Sequence, residues 1–320
     1  MTIKRAGRDG FGRAMVELGT ENEKVVALCA DLAESVKVHY FAQKYPERYF
    51  QIGIAEQDMI GTAAGLALSG YIPFATTYAV FAAQRANEQI RLAVCYNNSN
   101  VKIAVSHAGL TTGEDGATHQ ALEDIASMRV MPNMTVLVPA DAWEAYEATK
   151  AAAAYEGPVY LRLGRTPVPE LTKGVGEFKI GKARKMKEGK DITLIATGIM
   201  VERAMQAREI LSESGVDAEV INMHTIKPID ERAILESVKK TGCVVTAEEH
   251  SIIGGLGSAV SEVISEYFPV PLIRIGTKDT FGESGPPEEL LNKYGLTTEK
   301  IVEAAQRVIQ RKKNIAMSIN

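Results

Sequence analysis

The sequence predicts an α/β protein of two three-layer domains with largely parallel sheets. Three observations carry this expectation. Short β-rich runs alternate with amphipathic or Ala-rich helical patterns, as strand–helix–strand units do. The alternation breaks between about Arg165 and Gly189, where Pro167, Pro169, Gly174, Gly176 and Gly181 stand among lysines. A second alternating set then begins, and 320 residues suit about two domains.

In chain order, the first set has candidate strands at Lys24–Ala30, Ile72–Ala75, Val101–Ser106, Thr135–Val138 and Val159–Leu163. Helical patterns lie between them at Gly10–Leu18, Ala55–Leu68, Phe81–Val94 and Ala142–Tyr155. The second set offers strands at Asp191–Ala196, Ala218–Asn222, Cys243–Ala247 and Leu272–Ile275. Its helices are expected at Val201–Ser212, Glu231–Lys239, Gly257–Ser265, Pro287–Tyr294 and Thr298–Gln310. The expected division is a first domain over 1–170, a linker over 171–189 and a second domain over 190–320.

Composition removes several function classes. Apolar residues make up 46% and charged residues 24%, ordinary for a packed globular chain. The net charge of −4 and the absence of a basic block before Arg311-Lys312-Lys313 argue against a nucleic-acid partner. Cys29, Cys95 and Cys243 form no CxxC and no disulfide framework, which fits a reducing cytoplasm. Met59 to Gln84 is a charge-free run of 26 residues, but Ser69-Gly70-Tyr71-Ile72-Pro73 cuts it into a helix, a turn and a new element. It is expected to be a buried helix and strand rather than a membrane span, and such a surface also serves as a cofactor wall.

Neither a GxxxxGK[ST] loop nor a GxGxxG fingerprint is present. Gly254-Gly255-Leu256-Gly257 follows a strand and opens a helix, which suits either a tight turn or an anion cradle. Ser106 to Gln120 is the most unusual segment: it holds two of the five histidines, two acids and three glycines, and begins where a strand ends. A ligand-contacting loop past a strand's carboxyl end is the expected reading, against a glycine-rich turn with solvated histidines. Glu56, in Gly53-Ile54-Ala55-Glu56-Gln57-Asp58-Met59, opens a helix, where an acid is favoured by the orphan amides alone. Tyr78 and Phe81 are an aromatic pair that on their own suit a core.

Together these segments resemble the pyrimidine-binding domain of transketolase and its thiamine-diphosphate relatives. The G-I-x-E-x-x-M element stands at Gly53–Met59, and G-E-D-G-x-T-H-Q at Gly113–Gln120, with His107 twelve residues before His119. Thr197-Gly198, His224–Asp230 and Glu248-Glu249-His250 before Gly254–Gly257 resemble the family's C-terminal domain. The G-D-G motif and downstream Asn of the family's diphosphate-binding half are missing. The resemblance therefore implies the C-terminal subunit of a split transketolase, transferring a two-carbon ketol unit between sugar phosphates.

The resemblance also assigns roles. Glu56 would hydrogen-bond the aminopyrimidine of thiamine diphosphate in a pocket that the charge-free segment keeps apolar, with Tyr78 and Phe81 against its ring and Asp31 near the cofactor. His107 and His119 would bind sugar oxygens and assist proton transfer, Asp115 would read a donor hydroxyl, and Arg8, Ser35 and Arg165 would hold the phosphate end. Arg85 and Arg91 are expected to be structural or interface charges. The divalent metal, Mg or Ca, would be held by a separate N-terminal subunit within a cytoplasmic heterotetramer in which this chain also pairs with itself. The C-terminal domain is expected to be an interface element. The rivals are a 2-oxo-acid dehydrogenase beta subunit, a deoxyxylulose-phosphate synthase, a non-catalytic scaffold subunit and a plain nucleotide-binding module.

Overall fold

A computed structural model of the chain describes residues 4–319. Its strands are β1 (Lys4–Arg5), β2 (Val25–Cys29), β3 (Tyr49–Gln51), β4 (Ile72–Tyr78), β5 (Lys102–Ser106), β6 (Thr135–Leu137), β7 (Val159–Arg162), β8 (Val168–Pro169), β9 (Arg184–Lys187), β10 (Ile192–Ala196), β11 (Ala218–Asn222), β12 (Thr225–Lys227), β13 (Val244–Ser251) and β14 (Leu272–Thr277). The first sheet is ordered β12-β6-β7-β5-β4-β2-β3 and the second β14-β13-β10-β11-β9. Every pairing in both is parallel except the edge strands β12 and β9, which run antiparallel.

The central strands read as unbroken apolar runs because both faces are covered. In β2, Val25, Ala27 and Cys29 belong to one core cluster with Phe11, Met15, Ala145 and Ala148. Leu28, which points the other way, belongs to a second cluster with Met59, Ile60 and Ala63. Helices Gly7–Glu21 and Ala142–Ala154 thus cover one face, and helix Glu56–Leu68 the other. The same division recurs in the second sheet, where Leu194 and Ala196 face Met200 and Ala204 while Ile195 faces Val238 and Val260. The α/β architecture expected from the sequence is therefore present, in two three-layer units.

Three parts of the sequence reading change. Strand β9 falls inside the stretch read as a linker over 171–189, and β8 precedes it to pair with β1. Strand β12, from the second half, adds itself to the first sheet beside β6. One core cluster accordingly runs from Met134, Val136 and Val138 through Ile195 and Ile221 to Ile226. The helix expected over Phe81–Val94 is instead two π-helical segments, Phe81–Arg85 and Ile90–Tyr96, flanking a single α turn at Asn87–Gln89. Short π segments re-aim side chains within a helix and concentrate at functional sites.

Candidate active site

Parallel strands deliver their following loops to one edge of the sheet, and ligands bind where the strand order reverses. Here the chain passes from β2 to β3 on one side and returns to β4 on the other, so the reversal lies between β2 and β4. Asp31 lies two residues after β2, Glu56 five after β3, Tyr78 at the end of β4 and His107 one after β5. Asp31 and His107 both have positive φ, 59° and 56°, without being glycine. Left-handed backbone is uncommon outside glycine, although Asp and His adopt it more readily than most residues, and it recurs at sites of function.

The rings converge. His107 stacks on Tyr78 at 3.9 Å between centroids, Tyr78 lies nearly parallel to Phe81 at 5.9 Å and 13°, and His119 meets Phe81 edge-on at 5.3 Å. His107 is 3% exposed, and Leu110–Gly113 beyond it are also buried. The solvated-histidine reading of this loop does not hold for it. Two 3-10 turns joined at Gly113 (φ 78°) carry the chain from Leu110 to Asp115.

Burial, then the nearby Arg8, Arg165 and His119, push the His107 pKa down to about 3. Its imidazole is therefore neutral at physiological pH, with Nδ1 2.8 Å from the Ser106 hydroxyl. An imidazole of this kind exchanges hydrogen bonds but carries no charge near neutral pH. Desolvation and the neighbouring cations all act in the same direction, against the imidazolium form.

Glu56 opens helix Glu56–Leu68 and is 1% exposed. The pocket expected around it is not purely apolar. Arg85 donates from Nη1 to both Glu56 carboxylate oxygens at 2.9 Å, and its Cζ lies 4.5 Å from the Phe81 ring centroid. The charge-free run ends one residue before Arg85, and the π-helical segment ending at Arg85 brings it onto Glu56. The physical reason is that a buried carboxylate without a partner is expensive. Read from the sequence as a structural or interface charge, Arg85 belongs to this site; its place at the end of the charge-free run was the only available signal.

Arg8 donates to the Ser35 carbonyl at 2.8 Å, which joins two of the residues expected at a phosphate. Arg165 donates to the Thr112 carbonyl and pairs with Glu114 at 3.1 Å. Asp31 stays outside the ring cluster, its amide held by Gln51 at 2.9 Å, and Asp115 is exposed at the end of the second turn. Among the described residues, no group of three or more His, Cys, Asp or Glu is arranged to hold a metal ion. None of the helices described is long and apolar enough to cross a membrane.

A buried carboxylate beside a near-parallel aromatic pair suits a flat heteroaromatic ring carrying hydrogen-bond donors on its edge. An aminopyrimidine fits that description if its basic ring nitrogen and the Glu56 carboxyl share a proton. The glycine turn at Gly254–Gly257, by contrast, already has its anion. The Leu256 and Gly257 amides donate to the Glu248 carboxylate at 2.7 and 2.8 Å.

The second unit reaches the histidine loop directly. Thr111 N donates to Glu249 Oε1 at 2.6 Å, and Gln120 Nε2 donates to the Glu283 carbonyl at 2.9 Å. The sequence reading made this unit an interface element; it also forms the floor of the loop. Glu248-Glu249-His250, three polar residues ending an apolar strand, was the signal.

Residues 4–170 match the family profile described as transketolase, pyrimidine binding domain, and residues 181–301 match transketolase, C-terminal domain. The chain is 46% identical over 305 residues to the 6-deoxy-6-sulfo-D-fructose transketolase subunit of a Clostridium species, covering 95% of each. It is 48% identical to a Methanocaldococcus jannaschii protein provisionally named as a transketolase C-terminal section, covering 97% of this chain and 98% of that one. A solved structure described as a split gene transketolase, inactive beta4 tetramer, superimposes with a TM-score of 0.90 at 53% identity, covering 96% of this chain and 99% of the other.

Proposed function

From the premise that this chain belongs to the transketolase family, we propose that it is the C-terminal subunit of a two-chain, thiamine-diphosphate-dependent transketolase. It moves a two-carbon ketol unit from a ketose phosphate to an aldose phosphate and works only beside a separate diphosphate-binding subunit. The observation that carries the reading is the convergence of the buried Glu56 carboxylate, the Tyr78–Phe81 pair and the two loop histidines at one sheet edge.

When bound, thiamine diphosphate supplies a stabilised carbanion that cleaves and forms the carbon–carbon bond. The residues that would hold its aminopyrimidine are Glu56 at the ring edge, Tyr78 and Phe81 at the face, and Asp31 nearby. The Glu56 carboxyl would hold that ring by sharing a proton at its edge nitrogen, with Arg85 supporting the carboxyl from the other side. A magnesium or calcium ion would be held by the partner subunit at the diphosphate. His107, neutral and stacked on Tyr78, hydrogen-bonds a sugar oxygen through the nitrogen not facing Ser106. The moving proton then falls to His119, which sits half-buried at the edge of Phe81. Asp115 reads a hydroxyl, while Arg8, Ser35 and Arg165 receive the phosphate end.

Relatives named as a subunit, a C-terminal section and a split-gene product support an assembly of unlike chains, with self-pairing of this one. We place it in the cytoplasm, with pentose phosphates as the sugars to test first. The experiment is capture of this chain with its partner from native lysate, followed by ketol transfer. The reaction contains thiamine diphosphate, magnesium, xylulose 5-phosphate and ribose 5-phosphate. Sedoheptulose 7-phosphate formed by the pair, absent with either chain alone and lost in Glu56→Ala, is expected. A stable pair that turns over no sugar phosphate would sink the reading.

A further inference from the structure

We propose that Glu249, in the second unit, is a positioning residue for the His107 loop: its carboxylate grips the loop backbone from beneath and sets the pose of the His107 ring. The inference rests on the transketolase reading for its kinetic consequence, but not for its structural one.

The chain of contacts is short. Glu249 Oε1 accepts from Thr111 N at 2.6 Å, and Thr112 Oγ1 donates to the His107 carbonyl at 2.7 Å. His107 holds a left-handed φ of 56°, which persists only where surrounding contacts over-determine it. Gly109, between them, has φ 85°, and a Cβ there would lie 2.4 Å from Glu249 Cδ. The loop backbone therefore lies directly on the Glu249 side chain, closer than any other residue type permits.

From below, Arg162 locks the strut. It donates to the Glu249 carbonyl at 3.0 Å, to the Ala121 carbonyl at 3.2 Å and to Asp124 at 2.7 Å. Gly109 N in turn donates to the Ala121 carbonyl at 2.9 Å. Glu249 is 4% exposed, and burial pushes its pKa up to about 7. Retaining a carboxylate at such a cost is consistent with a job that an apolar side chain cannot do. A direct bond to the His107 loop is that job.

The test uses hydrogen–deuterium exchange on the full chain with Glu249→Ala, Glu249→Asp and Glu249→Gln. The Asp variant keeps charge beside Arg162 but withdraws the acceptor from Thr111; the Gln variant keeps an acceptor in place. Exchange of the Gly109–Thr112 amides is expected to rise about tenfold in the Ala and Asp variants, roughly the worth of one hydrogen bond. The Gln variant restores protection, and β10 and β11 stay protected throughout. In the reconstituted pair, kcat/KM for the sugar falls by a similar factor in the Asp variant and recovers in Gln, with thiamine-diphosphate affinity unchanged. Unaltered loop exchange in both the Ala and Asp variants overturns the proposal. So does loosening spread equally over the second unit, or a Gln variant as loose as Ala. A pair lacking sugar transfer would fail the functional reading alone, because the exchange result is read on the chain itself.

Discussion

Glu56 and Arg85 form an ion pair of unequal partners. The carboxylate is 1% exposed and the guanidinium 49%, so the carboxylate depends on the pair while the arginine keeps a route to solvent. Arg85→Met should destabilise the chain by about 1–3 kcal/mol, less than a fully buried pair would lose because Arg85 is half in water. Urea unfolding at pH 7 measures it, and an unchanged midpoint would mean that Glu56 finds another partner.

His107 is the second residue whose environment decides its chemistry. Its folded pKa of about 3 lies below the ordinary histidine value of 6.5, so its contribution to stability is present above pH 6.5 and is lost as pH falls toward 3. A His107→Asn chain should therefore lose less stability than the parent between pH 7 and pH 4. In the reconstituted pair, the same substitution should lower kcat/KM about 10- to 100-fold without moving either limb of the pH–rate profile between pH 5 and 9. A limb that disappears with His107 would show that its imidazole titrates in that range after all.

At the scale of elements, helix Gly7–Glu21 brings Arg8 to the sheet edge, and it does so by lying almost in contact with helix Ala142–Ala154. A Cβ on Gly10 would sit 1.9 Å from the Ala142 carbonyl oxygen, a backbone atom that cannot swing away. Gly10→Ala should thus force the helices apart and cost about 2 kcal/mol or more, measured as a lower thermal midpoint. Because Arg8 rides on this helix, the reconstituted pair should also show a raised KM for sugar phosphate. An unchanged midpoint would mean that the two helices are not held this close. The π-helical segment Phe81–Arg85 does comparable work on the opposite face, turning both Phe81 and Arg85 toward the site.

At the scale of the whole molecule, the two large sheets are joined by shared structure. Strand β12 leaves the second unit to pair with β6, the buried Arg184 of β9 bridges to Glu144 at 3.1 Å, and a single core cluster spans both units. Calorimetry should accordingly record one transition with matching calorimetric and van't Hoff enthalpies. Two resolved transitions would show that the shared core does not couple the units. Ile54, two residues before Glu56, is exposed. A single exposed apolar residue of this kind needs no further explanation.

By itself the sequence determined the class of fold, the central strands and the segments that carry chemistry. Those features are local: continuous apolar runs, helical periodicity, and histidine and acidic residues at fixed spacing after a strand. Glu56 and Tyr78 stand out only through the family resemblance, because their local pattern alone suits a helix start and a core aromatic, whereas the histidine loop stands out by composition. Only the tertiary structure decided which charges meet. Arg85 lies 29 residues from Glu56 and Glu249 lies 138 residues from Thr111, and no spacing rule links such positions. It also decided the burial that pushes the His107 pKa down, which is a property of the packed chain. The edge strands β9 and β12 escaped sequence reading because each is short and takes its strand conformation from pairing with a neighbour that folding supplies.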